Sequence, residues 1–138
     1  MPRDIKPLLR NTKSFFGSYW GAVLWAAFIM LLCGLPGSDL PNIDIWDIDI
    51  EDKIAHASVF AILGFLMVFG SVRRMANPVI SRKHTFTLIL IASAYGALTE
   101  VFQGLFFPTR FADVSDFIAN SIGAVLGILI AKKLLIKK

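Results

Sequence analysis

Four apolar runs alternate with polar segments along the chain, and each is long enough to form a membrane-spanning helix. They cover about residues 15–35, 53–72, 85–107 and 114–135. A helix rises about 1.5 Å per residue, so about 20 apolar residues cross a hydrocarbon core of roughly 30 Å. Gly34 and Pro36 end the first run, and Pro108 ends the third. The pattern predicts an all-α protein, an integral membrane four-helix bundle forming one domain over residues 1–138.

Two of the polar segments have a pattern of their own. Residues 1–13 are basic and carry Pro2 and Pro7, which oppose a long helix, so the first helix is expected to start near residue 15. Residues 43–50 alternate apolar side chains with aspartates, a period-two pattern typical of an extended segment with one apolar side. The order of these aspartates does not fit an EF-hand calcium loop, which favours a solvated acidic loop at the membrane surface.

The charges separate the connections into two groups. The N-terminal segment, the connection between the second and third runs, and the C-terminal tail hold twelve of the fourteen Lys and Arg residues. Nine of the ten Asp and Glu residues lie in the other two connections or at the adjoining helix ends. Because basic segments stay in the cytoplasm, this distribution predicts a multi-pass protein with both termini cytoplasmic, that is, N-in and C-in.

Composition agrees with a membrane protein and excludes several other classes. Hydrophobic residues make up 56% of the chain, charged residues 17%, and the mean hydropathy is +0.67. The isoelectric point near 9.5 comes from basic clusters that flank apolar runs, which indicates membrane topology and not nucleic-acid binding. The single Cys33 excludes an internal disulfide. The partner predicted from composition is therefore the lipid bilayer.

Polar residues inside the apolar runs fall on the predicted extracytoplasmic side. Ionisable groups at that depth are costly and usually face a bundle interior or a water-filled cavity. Each helix contributes residues spaced by three or four positions, so that members of a pair share one helix face. These faces are expected to meet in a polar cleft that holds Asp52, Lys53, His56, Glu100, Gln103, Arg110, Asp113, Asp116 and Asn120.

Two glycines continue the face of the fourth helix that carries Asn120. Gly123 and Gly127 follow Asn120 at i+3 and i+7 and form a small-xxx-small pair. Such pairs let helices approach closely in lipid. The face is therefore predicted to be a packed one, either within the chain or between copies of it, and the oligomeric state is left open.

These motifs resemble the pattern of the VanZ-like family. One half of the pattern is D-K-x-x-H at Asp52, Lys53 and His56, followed by Gly64. The other half comprises E-x-x-Q at Glu100 and Gln103, then Arg110, Asp116, Asn120, Gly123 and Gly127. The resemblance covers about residues 52–127 and implies a small multi-span protein of the bacterial cytoplasmic membrane. The founding member of that family is associated with low-level teicoplanin resistance, but the resemblance supplies no reaction.

The polar residues permit chemical and purely structural interpretations. In a catalytic site, His56 and Glu100 would act as general base and acid, although no nucleophile motif of known spacing is present. Arg110, or else Lys53, is the expected ion-pair partner of Glu100. Alternatively, Asp52 and Asp113 only cap helices, Lys53 only reaches the interface, and a Glu–Arg pair only joins helices.

Other site types have weaker support in the sequence. One histidine and scattered carboxylates are poor evidence for a metal site, so none is predicted, and no cofactor is indicated. His84, beside Arg82 and Lys83, is interpreted as a solvated loop residue. Polar residues are otherwise lacking in the predicted cytoplasmic halves, which argues against a transport pathway through the bundle.

The favoured hypothesis is a site for an anionic, amphiphilic cell-envelope ligand, for example a polyprenyl-phosphate-linked precursor. Lys53 and Arg110 would hold the anionic head at the outer surface while the tail lies between helices. The residues leave binding and processing as alternatives, with a link to glycopeptide tolerance implied by the resemblance. The competing hypothesis is a non-enzymatic membrane scaffold whose polar residues only hold the bundle together.

Overall fold

The computed structural model describes residues 5–34, 50–75, 78–106 and 112–136, with side chains from residue 18 onward. These ranges contain four helices and no strand: α1 is Ile5–Cys33, α2 is Ile50–Arg73, α3 is Arg82–Phe106 and α4 is Val114–Leu135. The prediction of an all-α chain with four helices is confirmed.

Helix α1 begins earlier than the sequence predicts. It starts at Ile5, so that Pro7 lies in its first turn. The first N–H groups of a helix have no intrahelical acceptor, and a proline near the start therefore removes no hydrogen bond. The expectation that the prolines would hold residues 5–14 out of the helix was wrong.

Three of the helices are long and apolar enough to cross a membrane. These candidate spans are α2, α3 and α4. In α1 the apolar part that the structure describes, Ser18–Cys33, is shorter. Large apolar side chains such as Leu31, Leu105 and Leu134 are exposed on the outer surface, as expected for a surface that faces lipid. The sides on which the termini lie stay a prediction.

Helices α2 and α4 pack against each other through glycines. A Cβ atom on Gly123 or Gly127 would overlap the carbonyl oxygen of Ala57 or Ala61, respectively. On the facing helix, a Cβ on Gly64 would lie 2.5 Å from the carbonyl oxygen of Ala124. The predicted packed glycine face is confirmed, and within the chain its partner is α2.

A second set of polar contacts joins α1, α2 and α3 where α2 ends. The Ser71 hydroxyl donates to the carbonyl of Met67 at 2.9 Å. Its oxygen lies 2.9 Å from the Tyr19 hydroxyl and 3.0 Å from His84 Nε2. Ser71 therefore connects α1, α2 and α3 at this end of the bundle.

His84 was therefore wrongly interpreted as a solvated loop residue. It lies in the first turn of α3, half-buried against Ser71. The Ser81 hydroxyl accepts from the His84 backbone N–H at 3.1 Å, as an N-cap side chain does. The expectation that this half of the bundle lacks polar contacts was also wrong.

Candidate functional site

Polar side chains from three helices meet where α2 begins, α3 ends and α4 begins. Contacts within hydrogen-bonding or ion-pair distance connect seven of them, which are here called the polar cluster: Asp52, Lys53, His56, Glu100, Asp113, Asp116 and Asn120. The close approach of α2 and α4 at the glycines places their first turns side by side. Seven of the nine residues predicted for the site are thus brought together, although their functional role stays a prediction.

Asn120 is the central member of the polar cluster and has no exposed surface. Its Nδ2 donates to Glu100 Oε1 at 3.3 Å. Its Oδ1 lies 3.0 Å from His56 Nδ1. An amide oxygen only accepts, so His56 carries its proton on Nδ1 in this contact. Asn120 therefore links α2 to α3 and sets the direction of the imidazole.

Glu100 is buried, with 5% of its surface exposed. Besides the Asn120 amide, it accepts from the backbone N–H of Asp113 at 3.4 Å, and His56 Nδ1 lies 3.9 Å from Oε1. Its favoured predicted partner, Arg110, lies outside the described residues. A buried carboxylate requires such donors, because its desolvation is otherwise uncompensated.

Lys53, the second predicted partner of Glu100, pairs with aspartates of α4. Its Nζ lies 3.2 Å from Asp113 Oδ2 and makes a closer contact with Asp116 Oδ1. This lysine therefore bridges α2 to the start of α4. Lys53 therefore does more than reach the membrane interface, which was the alternative interpretation of this residue.

Asp113 is the N-cap of α4. Its side chain accepts from the backbone N–H of Ser115 at 2.8 Å. Hydrogen bonding to Ser115 is the largest cause that lowers the pKa of the Asp113 carboxyl, and the hydrogen bond and positive charge of Lys53 add to it. The resulting pKa is about 2. The carboxylate is thus ionised at neutral pH. Asp113 caps α4 as predicted, but capping is not its only contact, because it also pairs with Lys53.

Asp52 does not cap its helix, contrary to one of the predicted alternatives. Helix α2 begins at Ile50, so Asp52 lies inside the first turn. Its carboxylate instead approaches His56 one turn later, with 3.8 Å between Oδ2 and Nε2. The predicted i,i+4 pairing of these two residues is confirmed.

The second ring nitrogen of His56, Nε2, faces two aspartates, Asp52 and Asp116. Its Nε2 is 4.0 Å from Asp116 Oδ2, in addition to the 3.8 Å contact with Asp52. The imidazole is mostly buried, with 13% of the side chain exposed. The Asn120 amide therefore holds the imidazole at Nδ1, and carboxylates lie near Nε2. A histidine in this arrangement can act as a general base or as a metal ligand.

Gln103 lies one turn beyond Glu100 on α3 and is buried. It shares the helix face of Glu100, as predicted. Arg110, the other predicted site residue outside the polar cluster, falls in the connection that the structure does not describe. Neither residue is therefore assigned a contact with the cluster.

The charges of the described part of the cluster do not balance. Four carboxylates, on Asp52, Glu100, Asp113 and Asp116, surround Lys53 and His56. Even with a protonated imidazole, this set has negative charge in excess. Any anionic group bound here requires an additional cation, supplied either by Arg110 or from solution.

The sequence missed the contacts around Ser71, because Tyr19, Ser71 and His84 lie in different segments with no shared spacing. The one local signal was Ser81, an N-cap residue type directly before the start of α3. Recognising it would have placed His84 inside the helix.

Comparison with known proteins identifies one family. The VanZ/LLP1 family model matches residues 9–137, nearly the whole chain. No curated protein matches the chain, and no solved structure does. The match extends the resemblance seen in residues 52–127 to the first helix.

Proposed function

This chain belongs to the VanZ-like family, and we propose that it binds an anionic amphiphile of the cell envelope at the polar cluster. A polyprenyl phosphate, or a precursor linked to one, has the required chemistry. The membrane character rests on the apolar helices α2, α3 and α4. The identity of the ligand is the proposed part, together with any link to glycopeptide tolerance.

One observation carries the proposal: a charged cluster lies directly beside exposed apolar side chains at one end of the bundle. Ile54, Leu105, Phe106 and Val114 are exposed at the same helix ends that supply Lys53, Glu100 and Asp116. A ligand with a polar head and a long apolar tail matches such a surface, since each part meets groups of its own kind. Because these apolar side chains face lipid, the tail of such a ligand can stay in the bilayer while its head reaches the cluster.

Arg110 and Lys53 are the residues proposed to contact the head. The guanidinium of an arginine can hold two phosphate oxygens at once, which makes Arg110 the stronger candidate. Lys53 already pairs with Asp113 and Asp116, so its single positive charge is less available to a ligand. His56 and Glu100 are the groups available for proton transfer if the ligand is processed.

Ligand binding is expected to depend on the charge of the head and on these residues. The full-length protein in detergent should bind a polyprenyl phosphate and bind the matching uncharged polyprenol at least about tenfold more weakly, as measured by native mass spectrometry. Arg110→Gln should remove most of this preference. Lys133→Gln, an exposed lysine at the other end of α4, is the matched control and should leave binding unchanged.

The same experiment distinguishes the proposal from a purely structural role. The scaffold alternative is favoured by the mutual hydrogen bonding of Glu100, Asn120 and His56, which needs no ligand. If Glu100→Gln, His56→Ala and Arg110→Gln fold but lose phosphate binding, the site is a ligand site. Equal binding of both lipids by wild type, or aggregation of all three variants, would favour the scaffold.

We further propose that the polar cluster lies on the extracytoplasmic side, because the positive-inside rule places the basic connections in the cytoplasm. In a Cys33→Ser background, Asp47→Cys should react with a membrane-impermeant maleimide on intact cells. Lys133→Cys should react only after the membrane is opened. The reverse pattern would place the cluster in the cytoplasmic half and exclude an outer ligand site.

A further inference from the structure

Three potential metal-ligand atoms converge at the mouth of the polar cluster. They are Asp52 Oδ2, His56 Nε2 and Asp116 Oδ2, which lie within 4.8 Å of one another. Two come from the first turns of α2 and the third from the first turn of α4. The contact between these helices at Gly123 sets the separation of the three atoms.

The hydrogen bonds around His56 decide which ring nitrogen faces the aspartates. Asn120 donates its Nδ2 to Glu100, so its Oδ1 accepts the proton on His56 Nδ1. In the neutral imidazole, Nε2 then carries a lone pair and points toward two carboxylate oxygens. Three acceptors facing one another are unfavourable unless a positive group lies between them. Lys53 does not supply it, because its contact with Asp116 is to the opposite oxygen, Oδ1.

We propose that Asp52, His56 and Asp116 bind a divalent transition-metal ion such as Zn²⁺. One imidazole and two carboxylates are ordinary ligands for this ion. With metal–ligand bonds of about 2.1 Å, tetrahedral ligand atoms lie about 3.4 Å apart. The two Nε2–oxygen distances are longer than this, at 3.8 and 4.0 Å, and the three ligand atoms all lie within 4.8 Å of one another. The two carboxylates must therefore rotate inward to complete the site.

The surroundings of the three ligands match those of protein metal sites. A metal-bound histidine usually donates its other ring N–H to a fixed acceptor, and Asn120 is that acceptor. The second oxygen of Asp116 is held by Lys53, which orients the first. Asp52 is 44% exposed and provides the side from which an ion enters. Three protein ligands leave a fourth position for water or for an oxygen of a ligand.

The ion also supplies the positive charge that the proposed ligand needs. Together with Lys53, a divalent cation offsets most of the negative charge of the four carboxylates in the cluster, and it offers an open position to a phosphate oxygen. This second part rests on the proposed function, whereas the metal site itself does not. Without a bound ion or Arg110, an anionic head would be repelled by the carboxylates of the cluster.

Metal binding is tested on the full-length protein in detergent, after chelation and without added lipid. Titration with Zn²⁺ followed by calorimetry should give one ion per chain, and Co²⁺ should give the visible absorption of a low-coordinate nitrogen and oxygen site. His56→Ala and Asp116→Asn should weaken Zn²⁺ binding by about tenfold or more. His84→Ala removes the other histidine, at the far end of the bundle, and should leave binding unchanged.

Several results would overturn the metal site. One is the absence of Zn²⁺ binding by folded wild-type protein. Another is binding that survives His56→Ala but not His84→Ala. A nitrogen NMR spectrum in which His56 stays doubly protonated at neutral pH in excess Zn²⁺ would show that a proton fills the space instead. If a variant fails to fold, the Co²⁺ spectrum of the wild-type protein still decides the question, because it shows whether nitrogen and oxygen atoms bind the ion at low coordination number.

The link to the ligand has a separate readout. Polyprenyl phosphate binding is measured with Zn²⁺ and again with a chelator in its place. Loss of binding in the chelator supports the role of the ion at the head. Unchanged lipid binding beside intact Zn²⁺ binding refutes that role and leaves the metal site standing, whereas lipid that binds in neither condition refutes only the proposed function.

Discussion

Gly127→Ala is expected to destabilise the bundle by about 3 kcal/mol, because overpacking a tight contact costs about 1–3 kcal/mol and this contact is at the upper end. The added Cβ would overlap the backbone carbonyl of Ala61, and a backbone atom does not rotate away as a side-chain end does. The helices would have to separate. The free energy of unfolding in mixed detergent micelles measures the effect.

Gly21→Ala is the matched control for this change. A Cβ at Gly21 would lie 3.7 Å from Leu66 Cδ2, which is an ordinary contact. Because alanine is favoured over glycine in helices by about 1 kcal/mol, this variant should be neutral or slightly stabilised. Similar unfolding free energies for the two variants would mean that α2 and α4 do not approach at Gly127 as described.

The same substitution should also disturb the site. Asn120 and Gly127 lie on one face of α4, two turns apart, so moving α4 away from α2 at Gly127 is transmitted to the cluster. The contacts at risk are those between the two helices, from Lys53 to Asp116 and from His56 to Asn120. Metal and lipid binding by Gly127→Ala should therefore fall together with its stability.

The sequence predicted the helices and the glycine face better than it predicted their partners. Small residues at i and i+4 indicate a close contact, but Gly123 and Gly127 carry no mark of which helix they meet. The partner, α2, has its own glycine, Gly64, opposite Ala124. That complementarity is visible only once the two helices are paired. The start of α1 was mispredicted because Pro7 is tolerated in a first turn.

Within the site, spacing along a helix was informative and partners across helices were not. The i,i+4 pair Asp52–His56 was predicted correctly, since helical geometry alone brings the two side chains together. Lys53, the second candidate partner of Glu100 after Arg110, instead contacts Asp113 and Asp116. Which carboxylate a lysine reaches depends on the rotation and depth of each helix, and neither quantity is encoded in local spacing.

Asn120→Ala is expected to destabilise the protein by about 2 kcal/mol or more, because it leaves buried polar groups without a partner at about 1–3 kcal/mol each. The amide serves two of them at once, Glu100 Oε1 and His56 Nδ1. Burial is complete, so water does not replace the amide without rearrangement. Unfolding in mixed micelles measures the loss, and Zn²⁺ affinity should fall with it because the imidazole is no longer oriented.

Ser121→Ala is the control, because it removes a buried polar atom of the neighbouring residue that makes no hydrogen bond within the described part of the chain. It therefore shows whether the cost of Asn120→Ala comes from the lost hydrogen bonds or only from the loss of a polar atom. Ser121 Oγ is buried and has no hydrogen-bond partner among the described residues, so removing it should cost less than about 0.5 kcal/mol or even stabilise the fold. A double-mutant cycle between Asn120→Ala and Glu100→Ala should give a coupling energy of at least about 1 kcal/mol. Additive effects in that cycle, or equal losses for Asn120→Ala and Ser121→Ala, would falsify the role of Asn120 as the bridge of the cluster. If the coupling energy is found, His56→Ala becomes the variant that tests the role of the imidazole in ligand binding. It removes the imidazole and keeps the contact between Asn120 and Glu100 that holds α3 and α4 together.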